Sequence, residues 1–176
     1  MNITKIGEFG LIQRFRKLIK TDSSVIKGAG DDCAVLRFNK DKYLLFTCDM
    51  LAEGVDFTPR DSPYLIGRKA IAVSISDIAA CAGLPRYCLV SLATPKNTPL
   101  EFVDRLFKGM LDIAKKYNIK TAILKSNSPA CGSGRIYDGT FNRALVKGDG
   151  VLAALLIESG LRVYTEKDNL LDKVPR

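Results

Sequence analysis

The chain has 176 residues, of which 47% are hydrophobic and 26% are charged, and its formal net charge is +8. This composition is typical of a soluble globular protein with one domain or two small ones. The sequence contains no histidine, which excludes a Ser-His dyad, a His-ligated zinc site and a histidine general base.

The basic residues are scattered along the chain and do not alternate with aromatic residues, so we expect no nucleic-acid partner. No apolar stretch approaches membrane-spanning length, and the first residues lack the apolar core of a signal peptide. We therefore expect a cytoplasmic protein without a membrane partner. The five cysteines are odd in number and widely spaced, which fits neither a disulfide framework nor a paired zinc site.

The hydrophobic periodicity predicts helices and strands in alternation. In chain order, we predict an amphipathic helix over 7–19, strands over 25–26, 33–36 and 43–47, a helix over 62–82, a strand over 86–93, a helix from 98 to about 117, a strand over 119–124, a long loop over 125–134, a helix from 148 to 158 and a strand over 161–164. This order predicts an α/β fold, an α+β sandwich with helices on one face of a mixed sheet.

Aspartates occur at three separated places in the predicted elements. The segment 28–32, Gly-Ala-Gly-Asp-Asp, sets two carboxylates beside flexible backbone, Asp49 follows an apolar strand, and Asp77 interrupts an apolar helix. Converging carboxylates repel one another, whereas Mg²⁺ prefers oxygen ligands and bridges them to phosphates. The pattern therefore indicates phosphoryl transfer at a magnesium site, in which the amides of Gly28 and Gly30 meet a phosphate.

Each of these segments also has a structural interpretation. Glycine and aspartate are favoured in ordinary turns, and Asp49 suits a helix cap or a loop. An ion pair with Arg68 or Lys69 would equally satisfy the carboxylate of Asp77. The residues alone leave these alternatives open.

Residues 6–120 resemble the N-terminal domain of thiamine-monophosphate kinases, which belong to the aminoimidazole ribonucleotide synthetase superfamily. The resemblance is carried by Gly-Glu-Phe at 7–9, Gly-Asp-Asp-Cys-Ala-Val-Leu at 30–36, Thr-Cys-Asp-Met-Leu-Ala-Glu-Gly-Val-Asp-Phe at 47–57, Gly-Arg-Lys-Ala-Ile-Ala-Val-Ser-Ile-Ser-Asp-Ile-Ala-Ala at 67–80 and Leu-Pro at 84–85. It implies a domain that forms a homodimer through its sheet and uses ATP and Mg²⁺ to phosphorylate thiamine phosphate to the diphosphate.

The resemblance also implies roles for individual residues. The magnesium ligands would be Asp32, Asp49 and Asp77, supported by Thr47. Beyond the ligands that the resemblance implies, we expect substrate and phosphate contacts from Gly28, Gly30, Asp56 and Lys69. No general base is assigned, because positioning and charge stabilisation supply most of the catalysis in phosphoryl transfer.

The chain departs from this family at several positions. Asp56 replaces a histidine, Ser74 replaces an asparagine, and Lys125 stands where the family has a metal-binding carboxylate. The family's C-terminal half has no counterpart. We therefore expect an incomplete or impaired kinase.

The segment from residue 125 to 163 resembles the C-terminal part of the thiouracil desulfurase family. It contains the motif Ser-Pro-x-Cys-Gly, which implies that Cys131 helps to bind a 4Fe-4S cluster and that Ser128 lies at the active site. A single thiolate cannot hold such a cluster. We predict two domains, 1–120 and 121–176, and two alternative functions: an iron-sulfur desulfurase-like module using Cys131, or an inactive hybrid that only folds and dimerises.

Overall fold

The computed structural model describes residues 3–129, 131–140 and 142–168. Within them the elements follow in the order α1 (Ile3–Arg16), β1 (Val25–Lys27), β2 (Ala34–Arg37), β3 (Tyr43–Phe46), α2 (Pro63–Ala80), β4 (Tyr87–Val90), α3 (Leu100–Lys116), β5 (Thr121–Leu124), β6 (Arg135–Tyr137), β7 (Leu145–Lys147), α4 (Val151–Glu158) and β8 (Arg162–Thr165). The predicted α/β class is confirmed.

The chain divides into two compact units. The first unit comprises Met1–Met50 and Val73–Leu84, and the second comprises Leu51–Ala72 and Pro85–Arg176. This division follows spatial contacts, whereas the predicted domains 1–120 and 121–176 follow family resemblance, and the predicted domains remain a prediction.

The first unit contains the antiparallel sheet β1-β2-β3. Strand β2 pairs with β3 from Ala34↔Phe46 to Arg37↔Tyr43. The residues that precede β2 and the residues that follow β3 therefore lie at the same end of this hairpin. The turn that contains Asp41 lies at the opposite end.

Helix α1 differs from its prediction at both ends. It begins at Ile3, is interrupted at Gly7, which has a φ of 64°, and ends at Arg16. Leu18 and Ile19, which belong to the predicted helix, follow α1 in a turn in which both amides donate to the carbonyl of Phe15. The helix is interrupted at Gly7 because its positive φ is not helical, and only glycine adopts that conformation freely.

The second unit contains the parallel sheet β4-β5-β8. Tyr87 of β4 pairs with Thr121 of β5, and Thr121 pairs in turn with Arg162 of β8. Strands β5 and β8 belong to the segment 121–176, while β4 belongs to 1–120. The C-terminal segment therefore completes a sheet with the preceding residues.

Helices α2 and α3 pack closely through two glycines in the second unit. A Cβ atom at Gly67 would lie 1.9 Å from the carbonyl oxygen of Leu106, and a Cβ atom at Gly109 would lie 1.9 Å from that of Tyr64. This contact leaves no room for a side chain at either position. Next to it, Phe107 of α3 is completely buried.

A short hairpin, β6-β7, follows the predicted loop and was not predicted. Arg135 pairs with Lys147 and Tyr137 pairs with Leu145. Helix α4 starts after Gly150, and Gly160, with a φ of 82°, follows its end as predicted. Among the described residues, no helix is both long and apolar enough to span a lipid bilayer.

Candidate metal and phosphate site

The predicted metal ligands all lie in the first unit, and two of them are held by hydroxyl groups. The Thr47 Oγ1 atom donates to Asp77 Oδ2 at 2.5 Å, and the Ser74 Oγ atom donates to Asp49 Oδ2 at 3.0 Å. Ser74 and Asp77 are three residues apart and so share one face of α2. The structure thus brings the C-terminal half of α2 against the residues that follow β3.

Asp32 lies at the same end of the hairpin, immediately before the buried Cys33. The pKa of the Cys33 thiol is raised by burial first, then by its contact with Cys81 and by the negative charges of Asp77 and Asp32. Two of the predicted metal ligands therefore lie close enough for their charges to act on one thiol. The hydrogen bond from Thr47 links Asp77 with the end of β3, and Asp32 lies at that same end of the β2-β3 hairpin.

The three predicted carboxylate ligands, Asp32, Asp49 and Asp77, form no ion pair with another described residue. The neighbouring Asp31 does, since it pairs with Lys27. Asp32 and Asp49 are exposed, and Asp77 is half-buried.

This set of donors fits Mg²⁺. In the described part of the chain, no three Cys, Asp or Glu side chains form a group that holds a metal by themselves. However, Mg²⁺ retains several waters and is usually bound by one or two carboxylates together with substrate phosphates. Carboxylates oriented by hydroxyls and open to water meet that requirement.

The glycine-rich segment 28–32 forms the loop between β1 and β2. Gly30 has a φ of 107°, a conformation that side chains disfavour. The Asp31 carboxylate accepts a hydrogen bond from the Asp32 amide at 2.9 Å, which fixes the end of the loop. The loop leads directly into the Asp32 carboxylate.

Asp56 and Lys69 lie together in the second unit. The Lys69 Nζ atom donates to the Asp56 carbonyl oxygen at 2.7 Å, and the Asp56 carboxylate accepts from the Ala52 amide at 2.8 Å. Arg68 pairs with Asp112. Arg68 and Lys69 thus each have a partner other than Asp77. The structural interpretation of Asp77, which required an ion pair with one of these cations, has no support among the described residues.

Ser128 and Cys131 are adjacent in the second unit. The Cys131 amide donates to Ser128 Oγ at 3.3 Å, and Cys131 is 3% exposed. Burial raises the pKa of the Cys131 thiol, and the hydrogen bond with Ser128 offsets part of that rise. A buried, neutral thiol is a poor metal ligand. Since no further thiolate gathers around it in the described ranges, a 4Fe-4S cluster does not fit these residues.

A polar contact that the sequence did not predict joins Lys125, Ser126 and Glu166. Ser126 donates to the Glu166 carboxylate from its amide at 2.7 Å and from its hydroxyl at 2.6 Å, and Lys125 Nζ donates at 3.1 Å. The Ser126 hydroxyl is the main reason that the pKa of Glu166 falls to about 2. The charge of Lys125 is therefore matched within the second unit.

Fold and site together define an α/β domain with carboxylates and hydroxyls at a hairpin end that also carries a glycine-rich loop. The family described as "AIR synthase related protein, N-terminal domain" matches residues 30–133. The chain belongs to this family.

Two curated relatives with matching sequences share one name. The chain is 40% identical over 110 residues to "Thiamine-monophosphate kinase" of Aquifex aeolicus (strain VF5), which covers 62% of this chain and 34% of the relative. It is 38% identical over 115 residues to the protein of that name from Bacillus subtilis (strain 168), covering 65% of this chain and 35% of the relative. The chain thus spans about a third of the length of these curated relatives.

Solved structures agree with this assignment. The structure described as "AaThiL complexed with AMPPCP and TMP" is 36% identical, with a TM-score of 0.61, over 70% of this chain and 37% of that chain. The predicted resemblance to thiamine-monophosphate kinases is confirmed. A structure described as a "thiouracil desulfidase TudS" is 36% identical over 42% of this chain and 52% of that chain, but its TM-score of 0.37 carries no argument.

Proposed function

We propose that this chain is the metal- and nucleotide-binding part of an enzyme that phosphorylates thiamine phosphate to thiamine diphosphate with ATP and Mg²⁺, and that it acts as a homodimer. The observation that carries the proposal is the anchoring of Asp49 and Asp77 by two hydroxyls, at the end of the β2-β3 hairpin where Asp32 also lies. The names of the relatives, and a related structure described as a complex with AMPPCP and TMP, support the same reaction.

In this proposal Asp32, Asp49 and Asp77 hold magnesium. A bound ion would neutralise the charge that develops on the transferred phosphoryl group. Thr47 and Ser74 donate to the carboxylates and so fix the direction of their oxygens before a ligand arrives. This fixed arrangement lowers the cost of ordering the site on binding.

The remaining predicted residues bind phosphate oxygens. The amides of Gly28 and Gly30 supply donors in the first unit, because successive amides in such loops form anion-binding concavities. Lys69 is a separate phosphate contact of the second unit, where its ammonium already faces the Asp56 carbonyl. We propose a weakened transfer rate, since Lys125, which pairs with Glu166, stands where the family provides a metal-binding carboxylate.

Thermal unfolding tests this function. ATP with Mg²⁺ should raise the midpoint of unfolding, and a chelator should abolish the rise, because ligands that bind the folded state stabilise it. Asp49→Asn and Asp77→Asn should reduce the rise, while the control Asp41→Asn, in the exposed turn at the far end of the β2-β3 hairpin, should not. The absence of any rise at millimolar nucleotide would overturn the proposal. A folded dimer without a response would then leave the inactive hybrid.

A further inference from the structure

The side chain of Arg16, at the end of α1, lies against the glycine-rich loop. A Cβ atom at Gly30 would stand 3.1 Å from Arg16 Nη1 and 3.3 Å from both its Cδ and Cζ atoms. These contacts are closer than packed side chains usually tolerate, so the guanidinium reaches this position because residue 30 has no side chain. The positive φ of Gly30 independently requires glycine.

The charge of Arg16 has no acidic partner, although two aspartates stand in the loop. Its guanidinium forms no ion pair or hydrogen bond with any residue in the described ranges. Lys27 already pairs with Asp31. An arginine beside an acidic loop that remains unpaired keeps all five of its N–H donors available.

The cations beside the loop match its carboxylates in charge. Arg16 and Lys27 offset Asp31 and Asp32, and a divalent cation would offset the two further carboxylates of Asp49 and Asp77. The amides of Gly28 and Gly30 also form no hydrogen bond with the described residues. Unused amides, an unpaired guanidinium and a metal ligand in one loop match the chemistry of a phosphate group.

We infer that Arg16 is a phosphate-binding residue that acts together with the loop 28–32. This inference rests on the proposed function and extends it to a residue outside the set that the family resemblance names. The phosphate comes either from the polyphosphate of the nucleotide or from thiamine phosphate, and the two sources are separated by experiment.

Isothermal titration calorimetry with Mg²⁺ distinguishes these sources. The ligands are AMPPCP, AMP, thiamine phosphate and inorganic tripolyphosphate. The variants are Arg16→Gln, Arg16→Lys, which retains the charge, and the matched control Arg14→Gln on the same helix. We expect Arg16→Gln to weaken binding of one phosphate source by about tenfold, as for the loss of a charge-assisted hydrogen bond. Arg16→Lys should recover part of the loss, and Arg14→Gln should bind as the wild type does.

Loss of affinity for AMPPCP and tripolyphosphate, with AMP unchanged, would assign Arg16 to the polyphosphate. Loss for thiamine phosphate alone would assign it to that substrate. Equal affinities of Arg16→Gln and wild type for every ligand, or an equal loss in Arg14→Gln, would overturn the inference. If the wild type bound tripolyphosphate but neither AMPPCP nor thiamine phosphate, the proposed function alone would be contradicted. If it bound no phosphate ligand, both the proposed function and the role of Arg16 would be overturned.

Discussion

Lys125 and Glu166 form an ion pair, with 3.1 Å between Nζ and Oε1, that joins the residues following two neighbouring parallel strands. Ser126 strengthens the contact with two hydrogen bonds to the same carboxylate. The resemblance puts Lys125 where the family has a metal-binding carboxylate, and in this chain its ammonium pairs with Glu166 at the end of the β5-β8 pair. All three residues belong to the segment 121–176, so within that segment β8 is held to β5 by charge as well as by strand pairing.

We predict that Glu166→Gln destabilises the protein by about 1 kcal/mol at pH 7, a modest figure because the contact is partly exposed to water. The pKa of Glu166 lies at about 2 in the folded protein, below its ordinary value of 4.5. The stabilisation is therefore present above pH 4.5 and is lost as the pH falls toward 2. Urea unfolding across this range should show the wild type and the variant converging, with the exposed Glu158→Gln as control. A difference independent of pH would contradict this.

Replacement of a packing glycine should destabilise the second unit strongly. Gly67→Ala places a methyl group 1.9 Å from the Leu106 carbonyl oxygen, so the helices must separate. We expect a loss of about 1–3 kcal/mol or more in unfolding free energy, the range for overpacked cores. Gly28→Ala is the control for stability, because its nearest contacts would lie at an ordinary 3.8 Å. Equal midpoints of urea unfolding for the two variants would show that α2 and α3 are not in close contact.

The cysteines should differ in their rates of alkylation. Cys48 is exposed and lies between Thr47 and Asp49, whereas Cys131 is buried. Burial also raises the pKa of Cys88 to about 11, which leaves little thiolate near neutral pH. We expect iodoacetamide to label Cys48 first, as followed by peptide mass spectrometry, and Mg²⁺ with AMPPCP to slow that labelling. Faster labelling of Cys131 than of Cys48 would refute the arrangement.

Anaerobic reconstitution with iron and sulfide should leave the protein colourless. Cys131 is buried, and in the part of the chain that the structure describes no group of ligands accompanies it. Visible absorbance that disappears in Cys131→Ala would restore the desulfurase-like alternative.

The sequence predicted the parts of the fold that depend on local pattern. The predicted bounds of strand β3 and helix α2 lie close to the observed ones. The sequence therefore also predicted the elements that carry Asp49, which follows β3, and Asp77, which lies in α2. The hairpin β6-β7 was missed because each strand has three residues, too few for alternation to be visible. An isolated bridge between Asn127 and Ile136 connects β6 to the preceding loop.

Contacts between distant segments could not be read in the same way. Ser74 was noted only as a departure from the family, yet it holds Asp49 across 25 residues of sequence. The position of Arg16 beside Gly30 depends on how α1 returns to the loop, for which the sequence contains no signal. Glu166 was detectable in principle, since residues that follow adjacent parallel strands meet at one edge of the sheet.

Calorimetric titration of Mg²⁺ into protein saturated with AMPPCP tests the central claim most directly. If the carboxylates of the first unit bind the metal, Asp49→Asn and Asp77→Asn should each weaken Mg²⁺ binding by about tenfold or more, and Asp41→Asn should leave it unchanged. Wild-type affinity for Mg²⁺ in both Asp49→Asn and Asp77→Asn would contradict the account.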